Sequence, residues 1–284
     1  MLESKLGGYL GVLDCVLKAE PATSFSDLKV TGDAGAKILM HKEKYAGYEL
    51  WPEPPNQHLQ GHIYAAQWRM ALSFKNCSNI TVSGLTLKNA GGDGIILNDV
   101  ASNGKWIGNC SKVTITNVVT DGCARNGLSV ISVAGDGSAV SGLKVTNCTF
   151  KNSHGQGNVA PGGPWAGIDL EPNSNDEKLQ DILIDNCIFQ NNGGAGIQQN
   201  TPVLNGSTGI LNITVKNCTM QGNGWYGIQV SYAPASLDDS SSIVFQDCTI
   251  SDSQHAGIMI NNKARDAGKL SFTNCSLKIK AGTV

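Results

Sequence analysis

Short segments in which apolar and polar residues alternate recur along most of this chain, and they predict β-strands. Six of these segments begin with a glycine followed by an apolar residue, at Gly94, Gly127, Gly167, Gly196, Gly227 and Gly257. A period of two residues with many β-branched side chains is typical of strands. No segment has the long i, i+3, i+4 stripe of an amphipathic helix. We therefore predict an all-β fold.

A second series of strands runs into an Asn-Cys or Asp-Cys pair, and its spacing matches the glycine series. The first residues of these pairs are Asn147, Asn186, Asn217, Asp247 and Asn274. Two interleaved series with one shared period indicate a structural unit that is stacked on its neighbours. Roughly 30 residues holding about three short strands are one coil of a parallel β-solenoid. The sequence thus predicts a single β-helix domain over 1–284 with about seven to eight coils.

The two series also predict where their side chains lie. The Asn residues are expected to stack at a bend as a ladder of amide hydrogen bonds. Each following Cys is expected to point inward and pack as a small apolar side chain. Each glycine is expected to allow a tight corner. Two segments break the repeat, near 40–68 and 151–165, and are predicted to be inserted loops over the solenoid.

The repeat resembles the right-handed parallel β-helix superfamily that includes pectate lyases, polygalacturonases and alginate epimerases, over about residues 65–280. The segments GGDGI, RNGLSVIS and GIDLEPN resemble those of bacterial β-helix proteins that act on carbohydrates. The segment from Arg125 to Ser129 resembles the polygalacturonase motif Gly-His-Gly-Leu-Ser, but this chain has Asn126 where that motif has its histidine. The resemblance implies a right-handed solenoid and a carbohydrate substrate.

Composition narrows the range of partners. A net charge of −2 with only 15% charged residues gives no field for nucleic acid or anionic lipid. The chain contains no apolar run of transmembrane length and no signal-peptide pattern, so secretion would require a preceding segment. We expect neither a nucleic-acid nor a membrane partner, and the oligomeric state stays open.

Aligning the Gly-apolar strands predicts two outward rows of side chains on one face. The first row is Ile96, Ser129, Asp169, Gln198, Gln229 and Met259. The second row is Asn98, Ile131, Glu171, Asn200, Ser231 and Asn261. Such rows form a flat polar face suited to a polysaccharide, and we expect Ser129, Gln198 and Gln229 to bind substrate.

Asp169 and Glu171 are the main catalytic candidates. They lie two residues apart on one strand, so their side chains share a face with Cα atoms about 6.7 Å apart. Pro172 keeps Glu171 in an extended conformation. Two carboxyl groups in different environments can act as acid and base, as in glycoside hydrolases.

Neighbouring corners supply further candidates. Asp93 and Arg125 precede the same face on the two preceding coils and are predicted to support catalysis, with Asn126 as a substrate-binding residue. His154, in the second loop, is the best candidate for a histidine general base. The aromatic residues Trp165, Trp225 and Tyr226 stand just before Gly-apolar strands, and Trp51 lies in the first loop. All four are predicted to contact sugar rings.

Three functions remain open from the sequence. The first is a glycoside hydrolase with Asp169 and Glu171 as acid and base. The second is a polysaccharide lyase or uronan C5-epimerase, which needs a base and a cation to neutralise the uronate. The third is a non-catalytic carbohydrate-binding or structural β-helix. No zinc spacing is present and no cofactor is expected, although acidic-glycine clusters at 135–138 and 237–240 could hold a structural Ca²⁺.

Overall fold

The computed structural model describes residues 26–40, 70–98, 108–138, 140–154, 163–174, 176–201, 210–232, 241–261 and 269–278. Within these ranges the regular structure consists of short strands, without a helix. In chain order they are β1 (Lys29–Thr31), β2 (Lys37–Leu39), β3 (Leu72–Phe74), β4 (Ser78–Ser83), β5 (Thr86–Lys88), β6 (Ile95–Leu97), β7 (Ser111–Thr116), β8 (Val119–Asp121), β9 (Leu128–Val130), β10 (Leu143–Thr146), β11 (Thr149–Lys151), β12 (Ile168–Leu170), β13 (Leu179–Asp185), β14 (Ile188–Gln190), β15 (Ile197–Thr201), β16 (Ile210–Lys216), β17 (Thr219–Gln221), β18 (Tyr226–Tyr232), β19 (Ile243–Gln246), β20 (Thr249–Ser251), β21 (Ala256–Ile260), β22 (Leu270–Thr273) and β23 (Ser276–Lys278).

The described strands form three parallel sheets that each receive one strand per coil. Sheet 1 is β1-β4-β7-β10-β13-β16-β19-β22, and sheet 2 is β2-β5-β8-β11-β14-β17-β20-β23. Sheet 3 is β3-β6-β9-β12-β15-β18-β21 and contains the Gly-apolar strands. Neighbours in each sheet are one coil apart in the chain, which confirms the predicted all-β parallel solenoid.

The core lies inside the coils, where equivalent residues stack directly on one another. Phe150 and Phe189 are in register between β11 and β14 and are fully buried. Their rings are stacked with centroids 5.5 Å apart. Phe245 and Phe272 stack in the same way at 5.0 Å. Each coil therefore covers the apolar surface of the next, so the stacking itself builds the core.

The cysteine series follows its prediction. Cys148, Cys187, Cys218 and Cys248 are buried at equivalent positions, and the described cysteines are free thiols. Burial also raises the pKa of Cys110, an earlier buried thiol, to about 12. These side chains serve as small apolar core residues.

The asparagines before these cysteines lie at the surface, in contrast to the buried thiols. Asn147 and Asn186 are exposed, and the Asn186 Nδ2 donates to the Asn147 Oδ1 over 2.8 Å. Both have a left-handed backbone, with φ of 56° and 52°. Asparagine tolerates this conformation better than other residues with a Cβ, which explains its recurrence at this bend.

A second asparagine ladder, which the sequence analysis missed, is buried at the corner between sheets 2 and 3. Asn192 Nδ2 donates to Asn223 Oδ1 over 3.0 Å and to Phe150 O over 3.1 Å. Asn192 Oδ1 accepts from the backbone N of Ser153 over 3.1 Å. The ladder satisfies backbone groups that the turn leaves unpaired inside the protein.

The recurrent glycines are required by the close approach of successive coils. A Cβ on Gly167 would lie 2.6 Å from the carbonyl oxygen of Gly196 and 2.7 Å from Phe189 Cδ1. A Cβ on Gly127 would lie 2.6 Å from the carbonyl oxygen of Gly167. The tight-corner explanation is therefore replaced by a steric one: a methyl group would push the stacked coils apart.

Candidate active site

The first outward row predicted from the sequence is present in sheet 3. Register pairs connect Ile96, Ser129, Asp169, Gln198, Gln229 and Met259 across successive strands. The expectation of a flat, solvated polar face is wrong around Asp169, however. Ser129 and Asp169 have no exposed surface, and Gln198 is only 4% exposed. The carboxyl group of Asp169 consequently lies in a nearly water-free environment.

An ion-pair cluster surrounds this position. Arg125 Nη1 lies 3.4 Å from Asp93 Oδ2, and Arg125 Nη2 lies 3.9 Å from Glu171 Oε2. Asp93 is fully buried, whereas the side chains of Arg125 and Glu171 are 14% and 23% exposed. The guanidinium group thus connects a buried carboxylate to one that reaches solvent.

Asn126 connects the cluster to Asp169. Its backbone N donates to Asp93 Oδ1 over 2.9 Å. Its Nδ2 donates to Ser129 Oγ over 3.0 Å and to Asp169 Oδ2 over 3.4 Å. Its Oδ1 accepts from the backbone N of Ala166 over 2.8 Å. With every polar atom of Asn126 engaged, it holds its neighbours in place, and it is buried rather than offered to a ligand.

Asp169 and Glu171 lie in different electrostatic environments. Burial raises the pKa of Asp169 well above its usual range, and the negative charge of nearby Glu171 raises it further against the opposing charge of Arg125. Glu171 reaches solvent, and its Oε1 accepts a hydrogen bond from Asn200 Nδ2 over 3.0 Å. The buried Asp169 therefore retains its proton to higher pH than an exposed aspartate does. Asn200 was absent from the predicted site residues, although its place in the second outward row, next to Glu171, was a usable signal.

Aromatic side chains from different coils meet at one end of the same sheet. Trp165 and Trp225 pack edge to face with ring centroids 5.8 Å apart. Trp225, Tyr226, Gln229, His255 and Met259 line a shallow open depression of about 300 Å³. The sequence prediction had named Trp225, Tyr226 and Gln229 as substrate-binding residues, and the structure brings these three together. In register terms, Gln229 lies two coils from Asp169, or about 10 Å.

His154 and Trp165 both lie beside Gly193, at the corner between sheets 2 and 3. His154 is exposed, and its backbone N donates to Cys123 O over 3.0 Å. Asp93, Arg125, Asn126 and Asn200 supply the contacts that define the carboxyl cluster. Trp51 lies outside the described residues, as do 41–69 of the first loop and 155–162 of the second.

The candidate calcium clusters gain no support from the described part of the chain. Asp136, in the 135–138 turn, accepts hydrogen bonds from the backbone N and the Oγ of Ser138 and so caps its own turn. Within the described ranges no group of three or more His, Cys, Asp or Glu side chains is arranged to hold a metal ion. Residues 237–240 are not among those described. The same ranges hold no helix that is long and apolar enough to cross a membrane.

Comparison with known proteins identifies the family. The model of the right handed beta helix region matches residues 70–230 and 140–283, and the chain belongs to this family. The comparison with curated proteins gives no significant match.

Solved structures with a similar fold include two carbohydrate-active proteins. One is the periplasmic alginate epimerase AlgG, with 13% identity, a TM-score of 0.37, and coverage of 74% of this chain and 46% of that chain. Another is the catalytic domain of a GH87 alpha-1,3-glucanase in complex with tetrasaccharides, with 13% identity, a TM-score of 0.44, and coverage of 73% and 47%. This chain thus spans less than half of either structure.

Proposed function

We propose that this protein is a glycoside hydrolase that acts on a polysaccharide, with Asp169 as general acid and Glu171 as general base. The observation that carries the proposal is the contrast between the two carboxyl groups. They lie two residues apart, and burial raises the pKa of Asp169, whereas the Glu171 side chain is 23% exposed and reaches solvent. Glycoside hydrolysis requires this combination of an acid and a carboxylate.

The proposed reaction assigns one proton transfer to each carboxyl group. Asp169 donates its proton to the glycosidic oxygen as the bond from that oxygen to the anomeric carbon breaks. Glu171 accepts a proton from the water whose oxygen bonds to the anomeric carbon. Asn126 donates to Asp169 Oδ2 over 3.4 Å, and the Asp169 carboxyl group also shares a hydrogen bond with Glu171, so the acidic proton is proposed to lie on the side of Asp169 that faces Glu171.

Neighbouring residues are proposed to orient this pair. Asn200 holds Glu171 Oε1, and Arg125 lies near the other oxygen, so the carboxylate has a fixed orientation. Trp165, Trp225 and Tyr226 offer ring faces on which sugars stack, and Gln229 adds an amide beside them.

The burial of Asp169 limits how the substrate can reach it. Because Asp169 has no exposed surface, a sugar can contact it only if neighbouring side chains move when the sugar binds. The same observation favours a second candidate function, a non-catalytic carbohydrate-binding solenoid in which Asp169 serves only the fold. The lyase or epimerase alternative has less support, because the charge of Arg125 is already shared between Asp93 and Glu171.

Activity measurements on matched variants test the proposal. Wild-type protein would be incubated with a panel of polysaccharides, and new reducing ends would be counted. We expect Asp169→Asn and Glu171→Gln each to lower the rate about 10²–10⁴-fold. Asp185→Asn, on sheet 1, is the matched control and should keep the wild-type rate. An Asp169→Asn variant as active as the wild type would refute the acid assignment, and sugars bound but never cleaved would favour the second candidate.

A further inference from the structure

Gln199 is one of three sheet 3 glutamines with a buried oxygen atom that lacks a hydrogen-bond partner among the described residues. The other two lie in the first outward row. They are Gln198 Oε1 and Gln229 Oε1. The residues are in register on β15 and β18, so their Cα atoms are about 4.8 Å apart. An unpaired buried acceptor costs about 1–3 kcal/mol. These two oxygens are therefore suited to a ligand that brings neighbouring hydroxyl donors.

The charges on the same face disfavour an anionic ligand. The two outward rows, from Ile96 to Met259 and from Asn98 to Asn261, contain two carboxyl residues and no Lys or Arg. Arg125 lies beside them with its charge shared between Asp93 and Glu171. Lys75 extends the second row by one coil beyond Asn98, but it lies three coils from Glu171, a distance of about 14 Å. A uronate carboxylate bound near Glu171 would meet net negative charge.

The depression next to Gln229 has the composition of a site for an uncharged sugar. Trp225 and Tyr226 provide ring faces, Met259 an apolar surface and Gln229 an amide. His255 is the one lining side chain that can carry a positive charge, and its ring centroid lies 6.2 Å from that of Tyr226. Aromatic faces bind the C–H surface of a sugar ring, while amide oxygens accept from its hydroxyl groups.

We infer that the polysaccharide recognised by this face is uncharged, without uronate groups, and that one of its sugars occupies the depression beside Gln229. The inference rests on the proposed function only in requiring a saccharide ligand. It names the substrate class, and it assigns Gln198, Gln229 and His255 to binding, separate from the carboxyl pair.

Binding to matched polymers tests the inference independently of cleavage. The Asp169→Asn variant slows cleavage and replaces a fully buried carboxyl group, whose pKa is raised, with an uncharged amide of the same shape. Isothermal titration calorimetry would measure its affinity for two uronate polymers, polygalacturonate and alginate. The uncharged set for comparison would be the carboxyl-reduced forms of these two polymers, xylan and a β-glucan. We expect at least one uncharged polymer to bind tenfold or more tightly than any uronate polymer. Gln229→Leu should weaken that binding roughly tenfold. Gln221→Leu, an exposed glutamine on sheet 2, should not.

The outcomes separate this inference from the hydrolase proposal. Tighter binding of a uronate polymer than of its reduced form would overturn the inference, most directly if salt or His255→Gln abolished it. Binding to none of the polymers would also overturn it. Uncharged polymers that bind but are never cleaved by the wild type would support the inference and contradict the hydrolase. Hydrolysis of uronate polymers by the wild type would support the hydrolase proposal and contradict the inference of an uncharged substrate.

Discussion

At the scale of single residues, the same side chain has different chemistry on different faces of the solenoid. Asp185, on sheet 1, is partly exposed, and its carboxylate lies 3.6 Å from Lys216 Nζ. Asp169, on sheet 3, is fully buried and lies near a second carboxyl group, so its pKa is raised. The charged form of an acid is stabilised by water and by cations, and Asp169 has little of the first. Its position therefore favours the protonated form.

This raised pKa predicts a pH-dependent stability. The unfolded chain releases the Asp169 proton near pH 4, whereas the folded protein holds it to higher pH. The free energy of unfolding should therefore fall as pH rises from about 4 toward the raised pKa. Asp169→Asn removes this dependence, so its advantage over the wild type should grow with pH in urea denaturation at a series of pH values. If the free energies of unfolding of wild type and variant changed in parallel with pH, the pKa of Asp169 would not be raised in the folded protein.

The Arg125 ion pairs predict a second effect of single residues. Arg125→Met leaves the fully buried Asp93 without its cation. Loss of one partner from a buried pair costs about 3–5 kcal/mol. The double variant Arg125→Met/Asp93→Asn should recover most of that loss, because it removes the uncompensated charge. Chemical denaturation measures both, and a double variant no more stable than the single one would contradict this account.

At the scale of secondary-structure elements, each coil is fixed at its corners by asparagines of two kinds. Asn186 stabilises a left-handed bend at the surface, whereas Asn192 is buried and satisfies backbone groups of the coil before it. Exposed backbone groups can be hydrated, but those next to Asn192 cannot. The buried ladder should therefore contribute far more to stability than the surface series.

A matched pair of asparagine variants tests this difference. Asn192→Ala removes hydrogen bonds to Ser153, Phe150 and Asn223, and should lower the free energy of unfolding by about 2–4 kcal/mol. Asn186→Ala should cost only about 1 kcal/mol, mainly from the left-handed backbone. The measurement is urea denaturation followed by circular dichroism. Equal losses in the two variants would mean that the buried ladder has no special role.

The sequence predicts the order of elements well because the repeat is local. Period-two alternation gives the strands, and the interval between columns gives the register that places Asp169 beside Ser129 and Gln198. The burial of each side chain is not predicted in this way, because it depends on side chains from several coils at once. Asp169 was therefore expected on a solvated face, and Asn192 was overlooked, because neighbouring residues in sequence do not reveal what covers them.

At the scale of the whole molecule, stacking brings together residues that are distant in the chain. Asp93, Arg125 and Glu171 come from three successive coils and form one ion-pair cluster. Trp165, on the coil of Glu171, lies at the same corner as Trp225 and His255, which belong to later coils. Sheet 3 thus carries the carboxyl pair, of which Asp169 is fully buried, and an aromatic depression about 10 Å along the solenoid. Under the proposed function this spacing fits a chain of sugars rather than a single one.

The central claim is that this surface hydrolyses a glycosidic bond, and the most direct measurement is the mass of the products formed in ¹⁸O-labelled water. Wild-type protein would be incubated with the polysaccharide panel, and the fragments would be weighed by mass spectrometry. Our account predicts that each cleavage adds one water and incorporates one ¹⁸O atom, and that Asp169→Asn lowers the rate of product formation about 10²–10⁴-fold. Fragments that gain no water would indicate elimination and would contradict the hydrolase, as would intact polysaccharide throughout the panel.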